Sequence, residues 1–143
     1  PLTMEIPINY LAVLVGAAVN MAVGFAWYGP VFGKPWMAMM GITPESMRTM
    51  PLSAGQAIVG GVLMSILMAY VLAHGIIFGS TYTQTFGLIG GLTGAFWYWL
   101  GFVVPITAGS FLWEGKPWKL WVLNAGYYLV TFLIMGAIFG TWV

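Results

Sequence analysis

The sequence predicts an all-α integral membrane protein: four transmembrane helices in one bundle, with short interfacial helices between spans one and two. Three observations predict it. The 143 residues are 61% hydrophobic and 5% charged, with a mean hydropathy of +0.94, whereas a soluble domain carries about 25% charged residues. After the hydrophilic turn Glu114-Gly115-Lys116-Pro117-Trp118-Lys119, residues 120–143 contain no Asp, Glu, Lys or Arg, and ~20 residues of α-helix already rise the ~30 Å of a hydrocarbon core. The apolar runs are continuous and rich in Leu, Met, Ala and Gly, which excludes the alternating ~10-residue strands of an outer-membrane barrel.

The first span is expected at about 8–28. Glu5 stands where a signal peptide has its basic region, and the apolar stretch is longer than a signal-peptide core, so this segment is expected to stay attached. Trp27 and Tyr28 close the span with amphipathic rings suited to the headgroup layer. Gly29-Pro30 is then expected to break the helix. Between residues 31 and 50, Lys34, Glu45 and Arg48 are interleaved with Trp36 and five methionines: Met37, Met39, Met40, Met47 and Met50. This pattern predicts two interfacial helices, one with Pro35 in its first turn and ended by Gly41, the next capped by Thr43 with Pro44 and Glu45 in its first turn. An irregular apolar loop is the competing reading.

Residues 51–113 carry no formal charge and are long enough for two spans. The break between them is expected in the polar cluster 79–85, which places spans two and three at about 53–78 and 85–110. Pro105 is expected to kink span three or unwind a turn of it. Span four follows Pro117 at about 118–142, and residues 1–143 form a single membrane domain. Lys34 and Arg48 lie in the first connection, Lys116 and Lys119 in the third, and none lies in the second or at the C-terminus. The positive-inside rule therefore predicts the bacterial cytoplasmic membrane with both termini on the outer side, anchored by these four side chains together with Trp27, Tyr28, Trp36 and Trp118. Gly33-Lys34-Pro35-Trp36 recurs as Gly115-Lys116-Pro117-Trp118, and residues 25–28 echo 95–98, but the offsets disagree and favour shared interfacial punctuation over duplication.

Because lipid is as apolar as leucine, spans pair through close backbone approach and occasional hydrogen bonds. Small residues at every fourth position mark the candidate packing faces. They are Ala12, Gly16 and Gly24 around Asn20 in span one, Ala57, Gly61, Ser65, Ala69 and Ala73 in span two, Gly87, Gly91 and Ala95 in span three, and Gly136 and Gly140 in span four. Asn20 and Asn124 are the most polar residues inside spans one and four and are expected to tie helices or subunits together. The surplus of such faces predicts an accessory or structural subunit in a homo-oligomer or larger membrane complex, its other partner being the lipid bilayer.

Chemistry-bearing residues are sparse. His74 is the sole histidine and the candidate axial ligand for a haem or chlorin, set against an interfacial histidine with an ordinary hydrogen bond. Glu5, Glu45 and Glu114 all fall at or outside the interface, so no carboxylate relay crosses the membrane. Cysteine is absent, and no nucleophile set, phosphate loop or metal spacing appears. The expectation is a protein that is not an enzyme, with no metal and no cofactor. A net charge of +1 without basic clusters argues against nucleic acid. The band Phe96-Trp97-Tyr98-Trp99 with Phe102 fits a pigment, a quinone or lipid tails, or simply fills gaps beside glycine ridges. Two further functions stay open: a channel or carrier for a neutral solute lined by Asn20, Gln56, Thr93, Asn124 and Thr131, and a pigment or haem binder through His74.

Several motifs together carry a family resemblance: Asn9-Tyr10-Leu11-Ala12, Trp27-Tyr28-Gly29-Pro30 followed by Phe32-Gly33-Lys34-Pro35-Trp36-Met37, Phe111-Leu112-Trp113-Glu114-Gly115-Lys116, Asn124-Ala125-Gly126-Tyr127-Tyr128, and Met135-Gly136-Ala137-Ile138. The chain resembles the family catalogued as domain of unknown function 1761 over nearly its whole length, most specifically in the last third. The resemblance implies a multi-pass membrane architecture. It brings no catalytic or binding residues with it.

Overall fold

A computed structural model describes residues 5–143. Helix α1 (Tyr10–Ala26) starts where the side chain of Asn9, in extended backbone, accepts the Ala12 N–H at 3.1 Å, satisfying one of the orphan donors of a helix start. The chain does not break at Gly29-Pro30 as that dipeptide predicts. A π turn, Trp27–Val31, carries the helix onward, with the Phe32 N–H reaching back to the Trp27 carbonyl at 2.8 Å. Pro30 is the physical reason: it has no N–H, and its ring would meet the carbonyl four residues back in a regular turn, which a wider turn avoids. The first membrane-crossing unit is therefore Tyr10–Val31.

Two short helices follow, as the sequence predicts. Helix α2 (Gly33–Met40) begins two residues before Pro35 and ends at Gly41, whose φ of 71° lets the Ile42 N–H close on the Met37 carbonyl. Helix α3 (Pro44–Arg48) is capped reciprocally by Thr43 and Ser46, with Glu45 in its first turn and Arg48 in its last.

Helix α4 (Ala54–Thr83), capped by Ser53 and Gln56, is the longest element. It runs through most of the polar cluster expected to end it, and the reversal is confined to Gln84, Thr85 and Phe86. Hydroxyls there bond back to their own helix, Thr83 to the Gly79 carbonyl at 2.8 Å, so polarity does not terminate the ladder. Span three is composite: α5 (Gly87–Tyr98), a second π turn (Trp99–Val103), α6 (Val104–Thr107) and α7 (Gly109–Leu112). Pro105 follows this turn in the first turn of α6, whereas Pro30 lies inside the first π turn, and the Val104 N–H reaches back to the Trp99 carbonyl. Helix α8 (Trp118–Thr141) closes the chain. Four helical segments are long and apolar enough to cross a membrane, and no strand occurs among the described residues.

Helix α8 touches α1, α4 and α5, and α4 touches α1, α5 and α8, so α4 and α8 form the short diagonal of the bundle. The closest pair is α5 with α8, where Gly87 and Gly91 meet Gly136 and Gly140 backbone to backbone. Elsewhere a glycine of one span seats an aromatic ring of another. A Cβ on Gly16 would lie 2.7 Å from the Phe139 ring, and one on Gly75 2.8 Å from the Tyr98 ring. The core is accordingly made of alanines with a few large residues, Leu72, Ile76, Phe132, Met135 and Phe139 among them.

Gly91→Ala is expected to prise α5 from α8 and to lower unfolding stability in mild detergent by about 1–3 kcal/mol. Gly79→Ala, where nothing lies within 4 Å, is expected to leave the denaturation midpoint unchanged or raise it. Equal destabilisation by the two substitutions would contradict this packing.

Candidate functional site

Two of the buried polar side chains of the bundle, Asn20 and Ser65, form one directed run of hydrogen bonds with Tyr127. The Tyr127 hydroxyl, on α8, donates to Asn20 Oδ1 at 2.6 Å and lies 2.7 Å from the Asn20 carbonyl. The Asn20 amide, on α1, donates to Ser65 Oγ at 2.7 Å. Ser65, on α4, donates in turn to the Gly61 carbonyl at 2.7 Å. All three side chains are buried, and each donor in the run meets an acceptor, so the run joins three spans. Gly24 makes room for it: a Cβ there would stand 3.2 Å from the Tyr127 hydroxyl.

A second set of polar ties lies closer to the Lys and Arg side chains. Tyr28 donates to Asn124 Oδ1 at 2.6 Å. The indole of Trp27 donates to the Leu123 carbonyl at 3.1 Å and that of Trp99 to the Ala125 carbonyl at 2.8 Å. Trp27 and Trp99 are the first residues of the two π turns, so spans one and three grip α8 in the same way on neighbouring carbonyls. Trp121 returns the contact, donating to the Val104 carbonyl at 3.1 Å. Lys116 reaches across from the third connection to the Met40 carbonyl at 3.3 Å, joining it to the end of α2. Lys34, Arg48, Trp118 and Lys119 are exposed, and Trp36 packs edge-on against Tyr28 with ring centres 5.2 Å apart.

The small-residue rows divide between inside and outside. Gly16, Asn20, Ser65, Ala69, Gly91 and Gly136 are buried, while Gly24, Gly140 and Asn124 are half-buried at the contacts already described. Gly61 touches only the flexible Met21 side chain, and Ala57 is exposed, as is every other residue from Ala54 to Gly60. The five residues considered for a solute path do not line one. Asn20 and Asn124 are held by tyrosines, Gln56 accepts the Ser53 N–H at its own helix start, Thr93 is exposed, and Thr131 is fully buried with no hydrogen-bond partner for its hydroxyl among the described residues.

His74 stands farther from the end of its helix than the expected span two placed it. With α4 continuing to Thr83, nine further residues lift the helix end about 13 Å beyond it. His74 lines a groove of 490 Å³ between spans two and three, together with Val71, Gly75, Phe78, Tyr98 and Phe102. The aromatic band therefore splits: Tyr98 and Phe102 stack at 6.1 Å on the groove wall, Trp99 turns inward to α8, and Phe96 and Trp97 are exposed.

Residues 11–140 match the family described as protein of unknown function, DUF1761. The chain belongs to that family. No curated protein and no solved structure matches it. In this DUF1761 chain the residues that sequence reasoning missed are mostly aromatic: Tyr127, Trp99, Trp121 and the hydroxyl of Tyr28. One signal pointed to Tyr28, its proximity in sequence to Pro30, since a widened turn re-aims the rings beside it; Tyr127, Trp99 and Trp121 had none.

Tyr127→Phe and Ser65→Ala each remove one bond to the same amide, so each is expected to lower stability by ~0.6–2 kcal/mol. Their effects should not add, with a coupling of about 0.5 kcal/mol or more in a double-mutant cycle. Strict additivity in detergent unfolding titrations would show that the run does not act as a unit.

Proposed function

We propose that this DUF1761 protein is a non-catalytic structural subunit of the bacterial cytoplasmic membrane that assembles as a homo-oligomer through the first half of α4. One observation carries the reading. The small-residue row of span two is packed at Ser65, Ala69 and Ala73, meets only the Met21 side chain at Gly61, and is uncovered at Ala57, beside Gly55 and Gly60, where a Cβ would meet nothing within 4 Å. A helix face made of small residues gains little from lipid contact and much from close approach of a second backbone. Pairing of this face with its own copy about a two-fold axis along the membrane normal brings α4 against α4 in parallel, the isologous arrangement commonest in homo-oligomers. The adjacent groove of 440 Å³ between spans one and two, floored by Ala17, Ala18 and Ala22 and edged by Val62, continues the surface and takes the ridge of the neighbouring helix.

In the same reading the four Lys and Arg side chains face the cytoplasm and both termini face outward. The joining of α2 to the third connection by Lys116 fits two loops on one side.

The chain contains no cysteine, so single thiols report both proposals. Gly60→Cys in native membranes is expected to form an intermolecular disulfide, and Ile106→Cys, 75% exposed on span three, is not. A monomeric Gly60→Cys, or equal crosslinking at both positions, would remove the support for this interface. For orientation, an impermeant maleimide applied to intact cells is expected to label Thr83→Cys and to spare Ser46→Cys. The reverse pattern would invert the topology.

A further inference from the structure

We infer that the groove between spans two and three is a binding site for a ring-hydroxylated amphiphile, a molecule of the quinol or alkylphenol class, with His74 Nε2 as the acceptor for its hydroxyl. The hydrogen bonding of His74 decides the chemistry of the ligand. Its Nδ1 stands 2.7 Å from the Tyr70 carbonyl, and a carbonyl only accepts, so Nδ1 carries a proton and the lone pair of the uncharged tautomer is at Nε2. Nε2 has no hydrogen-bond partner among the described residues. Centred on a hydrocarbon core of ~30 Å, the 30-residue helix α4, about 45 Å long, holds His74 several ångströms inside the apolar layer. No water is available at that depth to bond an idle acceptor. The other polar group on the groove wall, the Tyr98 hydroxyl, already donates to the Gly75 carbonyl at 3.3 Å. What is missing is one donor.

The shape of the groove specifies the rest of the molecule. Around His74 the walls are aromatic: the stacked Tyr98 and Phe102 rings on span three, and Phe78, whose ring meets the imidazole edge-on at 6.1 Å. These surfaces favour a flat ring in offset or edge contact. Gly75 keeps the floor low beneath the Tyr98 ring. Away from Phe78, the groove runs along α4 past Val71 to Met68 and Leu67, eleven residues or about 16 Å of helix, an apolar track for an aliphatic tail. Its volume of 490 Å³ falls in the ordinary range for small-molecule sites, ~300–1,000 Å³.

The experiment compares 4-decylphenol with 4-decylanisole, which share ring and tail and differ in the donor. Each is titrated onto the full chain in nanodiscs and corrected for partition into empty discs. Saturable binding is expected for both probes, about tenfold tighter for the phenol. His74→Phe keeps a ring in place and breaks only a bond within its own helix, so the protein should unfold at the same midpoint while the phenol loses its advantage. Val71→Trp, placed where the side chain is 59% exposed, should fill the groove and abolish saturable binding of both. The proposal is overturned if phenol and ether bind alike to the unaltered protein, if His74→Phe retains the preference, or if neither probe saturates. A haem-type absorption band in protein from native membranes, lost in His74→Phe, would also overturn it, because the lone pair would then be bound to a metal.

Discussion

The run of hydrogen bonds from Tyr127 through Asn20 and Ser65 to the Gly61 carbonyl is the interaction on which the arrangement of this bundle depends. Hydrophobic burial cannot choose among helix pairings in lipid, since a leucine facing another helix and one facing an acyl chain are nearly equivalent. A buried amide is different. Asn20 must have both a donor and an acceptor satisfied in a region without water, and only one rotation of α1 relative to α4 and α8 provides them. Three of the four spans are thereby fixed in register by one side chain.

Span three is held by other means. Its glycines let α5 lie directly on α8, and dispersion over that close contact adds to the span's hydrogen bonds, which use backbone carbonyls and no buried amide. The Trp99 indole then fixes its rotation on the Ala125 carbonyl. The two π turns are part of the same logic, because each begins at a tryptophan that reaches across to α8. Bulky rings and glycines are paired throughout, Phe139 on Gly16, Tyr98 on Gly75 and Trp27 near Gly126. The high glycine content is therefore mostly consumed inside one chain. The exposed stretch of α4 stands out because its glycines and alanines have no ring to seat.

Two surfaces face lipid with features that lipid does not satisfy. The first half of α4 presents a small-residue face suited to another backbone, and the groove beside His74 presents an acceptor without a donor. They lie on different parts of the molecule, so the proposed assembly face and the proposed binding groove can be tested separately. The network at Asn20 ties α1, α4 and α8 to one another.

The sequence by itself determined the class, the number of spans, the two interfacial helices and their caps, because each follows from local quantities: hydropathy over ~20 residues, the restricted φ of proline, the left-handed conformation open to Gly41. It also marked Asn20 and the glycine rows as packing residues, since a polar or side-chain-free position in a span has few other uses. Only the tertiary structure decided that Gly29-Pro30 and Pro105 would not break their helices, that Tyr127 would meet Asn20, that Ala57 would remain uncovered, and that His74 would share a groove with Tyr98 and Phe102. The physical reason is that these depend on the rotation and offset of one span against another, and in lipid that choice is made by a few hydrogen bonds and close backbone contacts between residues distant in sequence. Periodicity along a single helix carries no record of them.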